Sequence, residues 1–247
     1  MTDIIPFPKT PRLAAAMKQV DHRAWARCEA IVEEKVDGAN VGVWFDGGEI
    51  RLQSRGHVLR GGAHERQFAA LHGWALQRER ALRDALGDNL VLYGEWCFAK
   101  HRAFYDALPD WLLGFDILDR GSGEFLSTAR RNRVLATCDV TAVACLWHGP
   151  FGKASAFGSL IGPSRYKTPK WREALSREAA NAGVRDPMRD TDDSEDMEGV
   201  YVRIDDGQRV IGRMKLHREP FEKVRSDEWR SRPLIRNARR SRENGDP

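Results

Sequence analysis

Two short runs joined by Asp46-Gly47-Gly48 constrain the fold of this chain more than any other feature. Residues 41–45 and 49–54 each read as a strand. An Asp-Gly pair between two such runs favours a tight antiparallel turn, because glycine takes positive φ without a Cβ clash. The same signal recurs at Asp206-Gly207, between the strands expected over 199–204 and 208–216. Between these hairpins the pattern predicts strands over 89–96, 111–118 and 140–147. It predicts helices over 13–20, 63–86, 128–137, 154–160 and 169–182, with Ser127 as an N-cap and Gly87 and Gly183 as stops. The acidic run 186–197 reads as a mobile surface loop. Hairpins separated by helices argue for an α+β fold with antiparallel sheets. The 247 residues suffice for a sizeable core, with no internal repeat and no second core in view.

Composition excludes several classes. A hydrophobic content of 41% and a charged content of 31% are ordinary for a soluble protein. There is no run of 18 apolar residues to form a transmembrane helix, and the start lacks the basic and apolar regions of a signal peptide. The four cysteines, Cys28, Cys97, Cys138 and Cys145, show neither CxxC spacing nor framework density, so they read as reduced thiols of a cytoplasmic protein. No HExxH pair suggests zinc. The net charge of +4 is unevenly spread. Eleven Lys and Arg against four acidic residues fall between Arg213 and Arg242, a balance that suits a phosphate backbone and equally a solvated tail.

The residues with chemistry cluster around Glu34-Lys35-Val36-Asp37-Gly38-Ala39-Asn40. A lysine at a strand mouth beside a tight turn can be held still and partly desolvated. A free lysine is neutral in only about one molecule in 2,500 at pH 7, so a nucleophilic lysine needs burial or nearby cations to lower its pKa. Lys35 is expected just before the first hairpin strand, and Arg55 just after the second, so the hairpin brings them together. Glu95 ends a buried strand and needs a partner there. Phe115 sits in another apolar run, either as core or as a surface for a base.

In this order the pieces resemble the covalent nucleotidyltransferase superfamily, and most closely the ATP-dependent RNA ligases of the phage T4 RNA ligase 2 type. Glu34 to Asn40 matches motif I and Ser54-Arg55-Gly56 motif Ia. Tyr93-Gly94-Glu95-Trp96 matches motif III and Leu113 to Ile117 motif IIIa. Glu198 to Arg203 matches motif IV and Arg213-Met214-Lys215 motif V. Asn40 favours RNA ligases, since DNA ligases and capping enzymes usually carry Arg there. Only 32 residues follow Lys215, too few for an OB domain. Two positions depart from the type: Asp37 stands where these ligases often have His, and Arg213 where motif V usually begins with Lys. The helical C-terminal domain of that type also looks missing.

The resemblance implies an adenylation domain over residues 1–217, with antiparallel sheets flanked by helices and the nucleotide between them, followed by a basic tail over 218–247. It implies that Lys35 takes AMP from ATP as a phosphoramidate. Glu34 would lie against the adenine and Phe115 would stack on it. Asn40, Arg55 and Glu95 would line the ribose and α-phosphate, which Arg213 and Lys215 would contact. Glu198, with Glu95, would hold Mg²⁺ or Mn²⁺, and Lys215 and the metal would depress the pKa of Lys35. AMP would then pass to a 5′-phosphate end, and a 3′-OH would displace it. The expected partners are RNA or DNA strand ends and an end-healing repair protein, with no membrane. The alternatives are a DNA ligase on the same scaffold or a non-catalytic nucleotide- or RNA-binding module.

Overall fold

A computed structural model describes residues 4–19, 25, 27–152, 154–221 and 233–240. Two antiparallel sheets organise them. The first orders its strands β7-β1-β8-β9, from β1 (Glu29–Lys35), β7 (Cys145–Pro150), β8 (Gly199–Asp205) and β9 (Val210–His217). The second orders them β3-β2-β4-β5-β6, from β2 (Ala39–Asp46), β3 (Glu49–Ser54), β4 (Leu90–Trp96), β5 (Leu112–Asp119) and β6 (Glu124–Phe125). Both Asp-Gly hairpins form, β2–β3 and β8–β9, with Gly47 and Gly207 at positive φ. The α+β expectation holds.

Alternation along each strand decides what lies between the sheets. On β2, Val41, Val43 and Phe45 enter the largest core with Leu92, Trp96 and Ile117. Against that face pack α2 (Ala69–Gln77), α3 (Glu79–Leu86) and α4 (Thr128–Thr137), through Leu71, Trp74, Leu82 and Leu135. On the first sheet Ala30, Val32, Val202, Ile204 and Met214 face a second core with Ala16 of α1 (Leu13–Gln19) and Phe157. The alternate positions point the other way: Arg203 and Arg213 meet Asp116 on β5, and Glu33 meets Arg131 on α4. Each fully buried apolar side chain contributes about 1.5–3 kcal/mol. No described helix is long and apolar enough to cross a membrane.

Several local expectations change. Lys35 does not precede the first strand but closes one, β1, whose buried Glu33 and Glu34 hide its apolar alternation. The helix expected over 63–86 is broken into a 3₁₀ turn, α2 and α3, the last break falling at Arg78. The strand expected over 140–147 begins only at Cys145 and runs to Pro150. Ser127 takes the N-cap position of α4 without a side-chain cap bond; Thr128 N donates to the Asp205 carboxylate at 2.5 Å, so β8 caps the helix. In the 186–197 loop, Thr191 and Met197 are buried, and Asp192 pairs with Arg218 at 2.6 Å.

Candidate active site

A cavity of about 660 Å³ opens between the two sheets. β1 is central in its sheet, paired with both β7 and β8, so its last residues are held on two sides. Lys35 Nζ donates to Glu198 Oε2 at 2.8 Å, and His217 Nε2 lies 3.3 Å from Glu198 Oε1. The Glu198 side chain is fully buried and that of Lys35 is 14% exposed. Gly199 makes this pairing possible. It sits opposite Lys35 in the ladder, and a Cβ there would come within 2.0 Å of the Leu216 carbonyl oxygen, so only glycine lets β8 and β9 close beside Glu198. Burial by itself would lower the pKa of Lys35, but the Glu198, Glu95 and Asp37 carboxylates outweigh it and hold the amine above its ordinary value. The depressed pKa expected from Lys215 and a metal is therefore not a property of the protein's own groups.

The turn after Lys35 is fixed from the second sheet. Gly38 N donates to Glu95 Oε1 at 3.1 Å, and a Cβ on Gly38 would meet the Trp96 carbonyl oxygen at 2.8 Å. Asp37 Oδ2 accepts from Arg102 N at 2.8 Å and Ala103 N at 2.9 Å, and Asp37 N donates to the Tyr105 hydroxyl. The departure at Asp37 thus has a structural use: its carboxylate anchors the loop after β4.

The cavity wall gathers Glu34, Lys35, Asn40, Arg55, Glu95, Phe115 and Lys215. Arg55 is exposed at the rim. Asn40 Oδ1 is buried with no hydrogen-bond partner among the described residues. Both Glu34 oxygens are taken, by Ser164 Oγ and by Arg165 N, and burial raises its pKa. Arg213 is not brought to the cavity. It pairs with Asp116 at 2.9 Å and lies 3.9 Å over the Phe125 ring. Its place at the start of motif V serves a buried ion cluster.

That cluster positions Phe115. Arg131 Nη1 and Arg203 Nη1 both donate to the Phe115 carbonyl oxygen. Arg131 is held by Glu33 at 2.6 Å and Arg203 by Asp116 at 3.1 Å. Glu33 is fully buried, yet its Oε2 has no hydrogen-bond partner among the described residues, and the residue lines the cavity.

The residues sequence reasoning passed over are Glu33 and the segment 5–12. Ile5 exchanges both backbone bonds with the buried Gln53 amide on β3, at 2.8 and 2.6 Å. Thr10 Oγ1 lies 3.2 Å from the Tyr201 hydroxyl on β8, and Lys215 N donates to Pro11 O. The segment therefore ties one sheet to the other. Its Phe7 packs edge-on against Phe115 at 5.1 Å and lines the cavity with Thr10. The only local signal was the Pro-broken, extended stretch around Phe7.

No group of three or more His, Cys, Asp or Glu suited to a metal occurs among the described residues. Mg²⁺ and Mn²⁺ are commonly held by one or two carboxylates together with substrate phosphates. Glu198 at Lys35 and Glu95 at the Gly38 turn fit that mode, not an all-protein cage.

The sequence profile of the RNA ligase family matches residues 29–217. Among curated proteins none matches. Solved structures of Naegleria gruberi RNA ligase are similar. A mutant with AMP and Mn has a TM-score of 0.57 at 18% identity, covering 85% of this chain and 55% of that one. A mutant with ATP and Mn gives 0.59 at 18%, with 87% and 56% covered. A form with PPi gives 0.56 at 18%, with 88% and 59% covered. The chain thus spans little more than half the length of these relatives, and at this identity the likeness speaks for the fold. With the profile covering most of the chain, this protein belongs to the RNA ligase family.

Proposed function

We propose that the protein is an ATP-dependent RNA ligase in which Lys35 carries AMP. The observation that carries this reading is a lysine at a strand end, pinned by a buried carboxylate and opening into a cavity that Glu95, Asn40, Phe115 and Lys215 share. The family and the AMP, ATP, Mn and PPi of the solved relatives support it. Lys35 Nζ attacks the α-phosphorus of ATP, a N–P bond forms and pyrophosphate leaves. Lys215, in the same cavity wall, would neutralise charge at the α-phosphate. Phe115 offers a ring to the base. Glu33 Oε2 offers an acceptor for an amino group of that base, whereas Glu34 braces the wall through Ser164 and Arg165. Asn40 Oδ1 offers an acceptor to the ribose. Glu198 and Glu95 would hold Mg²⁺ or Mn²⁺, which supplies charge neutralisation at the phosphates. AMP then moves to a 5′-phosphate end, and a 3′-OH closes the phosphodiester. The basic residues of 218–247 contact the strand backbone, and the place of work is the cytoplasm.

The test is covalent labelling. With divalent ion and ATP labelled at the α-phosphate, the chain carries label through a denaturing gel, and GTP labelled the same way leaves none. No label, even after pyrophosphate treatment to strip bound AMP, would sink the reading.

The same assay has a pH signature. Because the carboxylates keep Lys35 protonated, its neutral fraction grows about ten-fold per pH unit through the neutral range. Under limiting divalent ion the initial labelling rate should therefore climb steadily from pH 6 to 9. A flat profile would mean that proton loss from Lys35 does not limit attack. For stability, a raised lysine pKa stabilises the fold below the ordinary lysine value and is lost only above it, so the contribution of Lys35 should not fall across this window.

A further inference from the structure

Residues 233–240 lie in the stretch that sequence alone reads as a basic tail, yet they are woven into the domain. Lys100 N donates to Ile235 O at 2.8 Å, and Asn237 N to Phe98 O at 3.0 Å. Ala238 N donates to Tyr105 O, and Arg240 N to Leu108 O, both at 2.8 Å. Asn237 is 2% exposed and spends its amide on the same loop. Its Oδ1 accepts from Tyr105 N at 2.9 Å and its Nδ2 donates to Cys97 O at 2.8 Å. Ile235 is buried against Phe104, Trp171 and Leu175.

The loop these bonds fasten is the one that grips motif I. Its Arg102 and Ala103 amides hold the Asp37 carboxylate, and its Tyr105 hydroxyl accepts from Asp37 N. Asn237 and Asp37 thus hold Tyr105 from opposite ends. Beyond that clamp, Pro233, Leu234 and Ile235 line the same cavity as Lys35.

We infer that residues 233–240 are a working part of the nucleotidyl-transfer site: Asn237 positions the Asp37 turn through Tyr105, and Leu234 walls the nucleotide cavity. This rests on the adenylylation reading above and assigns the segment to the first chemical step, ahead of any strand contact. A buried hydrogen bond to the loop matters because the alternative leaves Tyr105 N and Cys97 O desolvated and unpaired.

The experiment uses the full chain and α-labelled ATP with no nucleic acid present. Leu234→Ala should raise the ATP concentration for half-maximal labelling about five-fold at an unchanged maximal rate, as expected for one trimmed apolar contact. Leu234 is partly exposed, so the melting temperature should stay with the parent. Asn237→Ala should cut the maximal labelling rate about ten-fold or more, the scale set by losing the buried bonds to Tyr105 N and Cys97 O and the longer one to Ala99 O. If both variants label like the parent, the inference is overturned and the segment serves strand contact or stability alone. If Asn237→Ala does not fold, Leu234→Ala decides by itself. A parent chain that takes no label sinks the adenylylation reading instead, which is a distinguishable result.

Discussion

Lys35→Arg should give a protein that folds like the parent and takes up no AMP, whereas Lys35→Ala should lose both label and stability. The difference comes from Glu198, whose carboxylate is fully buried and ion-paired with Lys35 at 2.8 Å. Removing one partner of a buried pair leaves an uncompensated charge and typically costs about 3–5 kcal/mol. Alanine takes the Lys35 cation away from that carboxylate, whose other oxygen has His217 Nε2 at 3.3 Å. Arginine keeps a permanent cation beside Glu198 but holds its proton far too tightly to act as a nucleophile. Urea unfolding and the denaturing-gel label, read on both variants, separate the two roles of one side chain. Label on Lys35→Arg would show that another group carries AMP. An alanine variant as stable as the parent would show that Glu198 is balanced without Lys35.

Much of this arrangement was legible because it is local. An Asp-Gly turn specifies its hairpin within a few residues, so β2–β3 and β8–β9 were readable from composition and spacing. The helix Thr128–Thr137 was placed to the residue by its flanking signals. The ordered motifs supply one part of the cavity wall, from Glu34–Asn40 through Arg55, Glu95 and Phe115 to Lys215. What could not be read depends on partners far away in sequence. Glu33 and Glu34 look like surface charges until Arg131 and Ser164, each about a hundred residues or more distant, are seen to satisfy them. Lys35 therefore looked like a residue in front of a strand, when it is the last residue of one. Arg213 illustrates the same limit in the other direction. Alternation puts it on the face it shares with Lys215, and only Asp116 on the other sheet decides that it turns away from the cavity. The segment 5–12 carries almost no periodic signal, because its bonds run to a glutamine amide, a tyrosine hydroxyl and one β9 amide.

Asp116→Ala should be the most damaging change away from the reactive lysine. Asp116 is fully buried and is shared by Arg203 at 3.1 Å and Arg213 at 2.9 Å. Arg203 is itself fully buried, so deleting the carboxylate strands at least one guanidinium in the interior, at about 3–5 kcal/mol. Against a typical stability of about 5–15 kcal/mol, that is a large share, enough to lower the melting temperature sharply. Asp116→Asn keeps the shape and one acceptor oxygen, so it should fall between the two. The effect should also reach the nucleotide. Arg203 and Arg131 converge on the Phe115 carbonyl, and Asp116 and Glu33 are what aim them. With Asp116 gone, Arg203 keeps Thr128 Oγ1 and the Leu126 carbonyl but loses its counter-charge, so the Phe115 carbonyl is held less firmly from that side. Under conditions where Asp116→Asn stays folded, its labelling should need more ATP for half-saturation while the maximal rate changes less. Thermal melts and labelling titrations on the same preparations check both parts. A variant that melts early but labels with parental ATP dependence would confine the cluster to stability and detach it from the base.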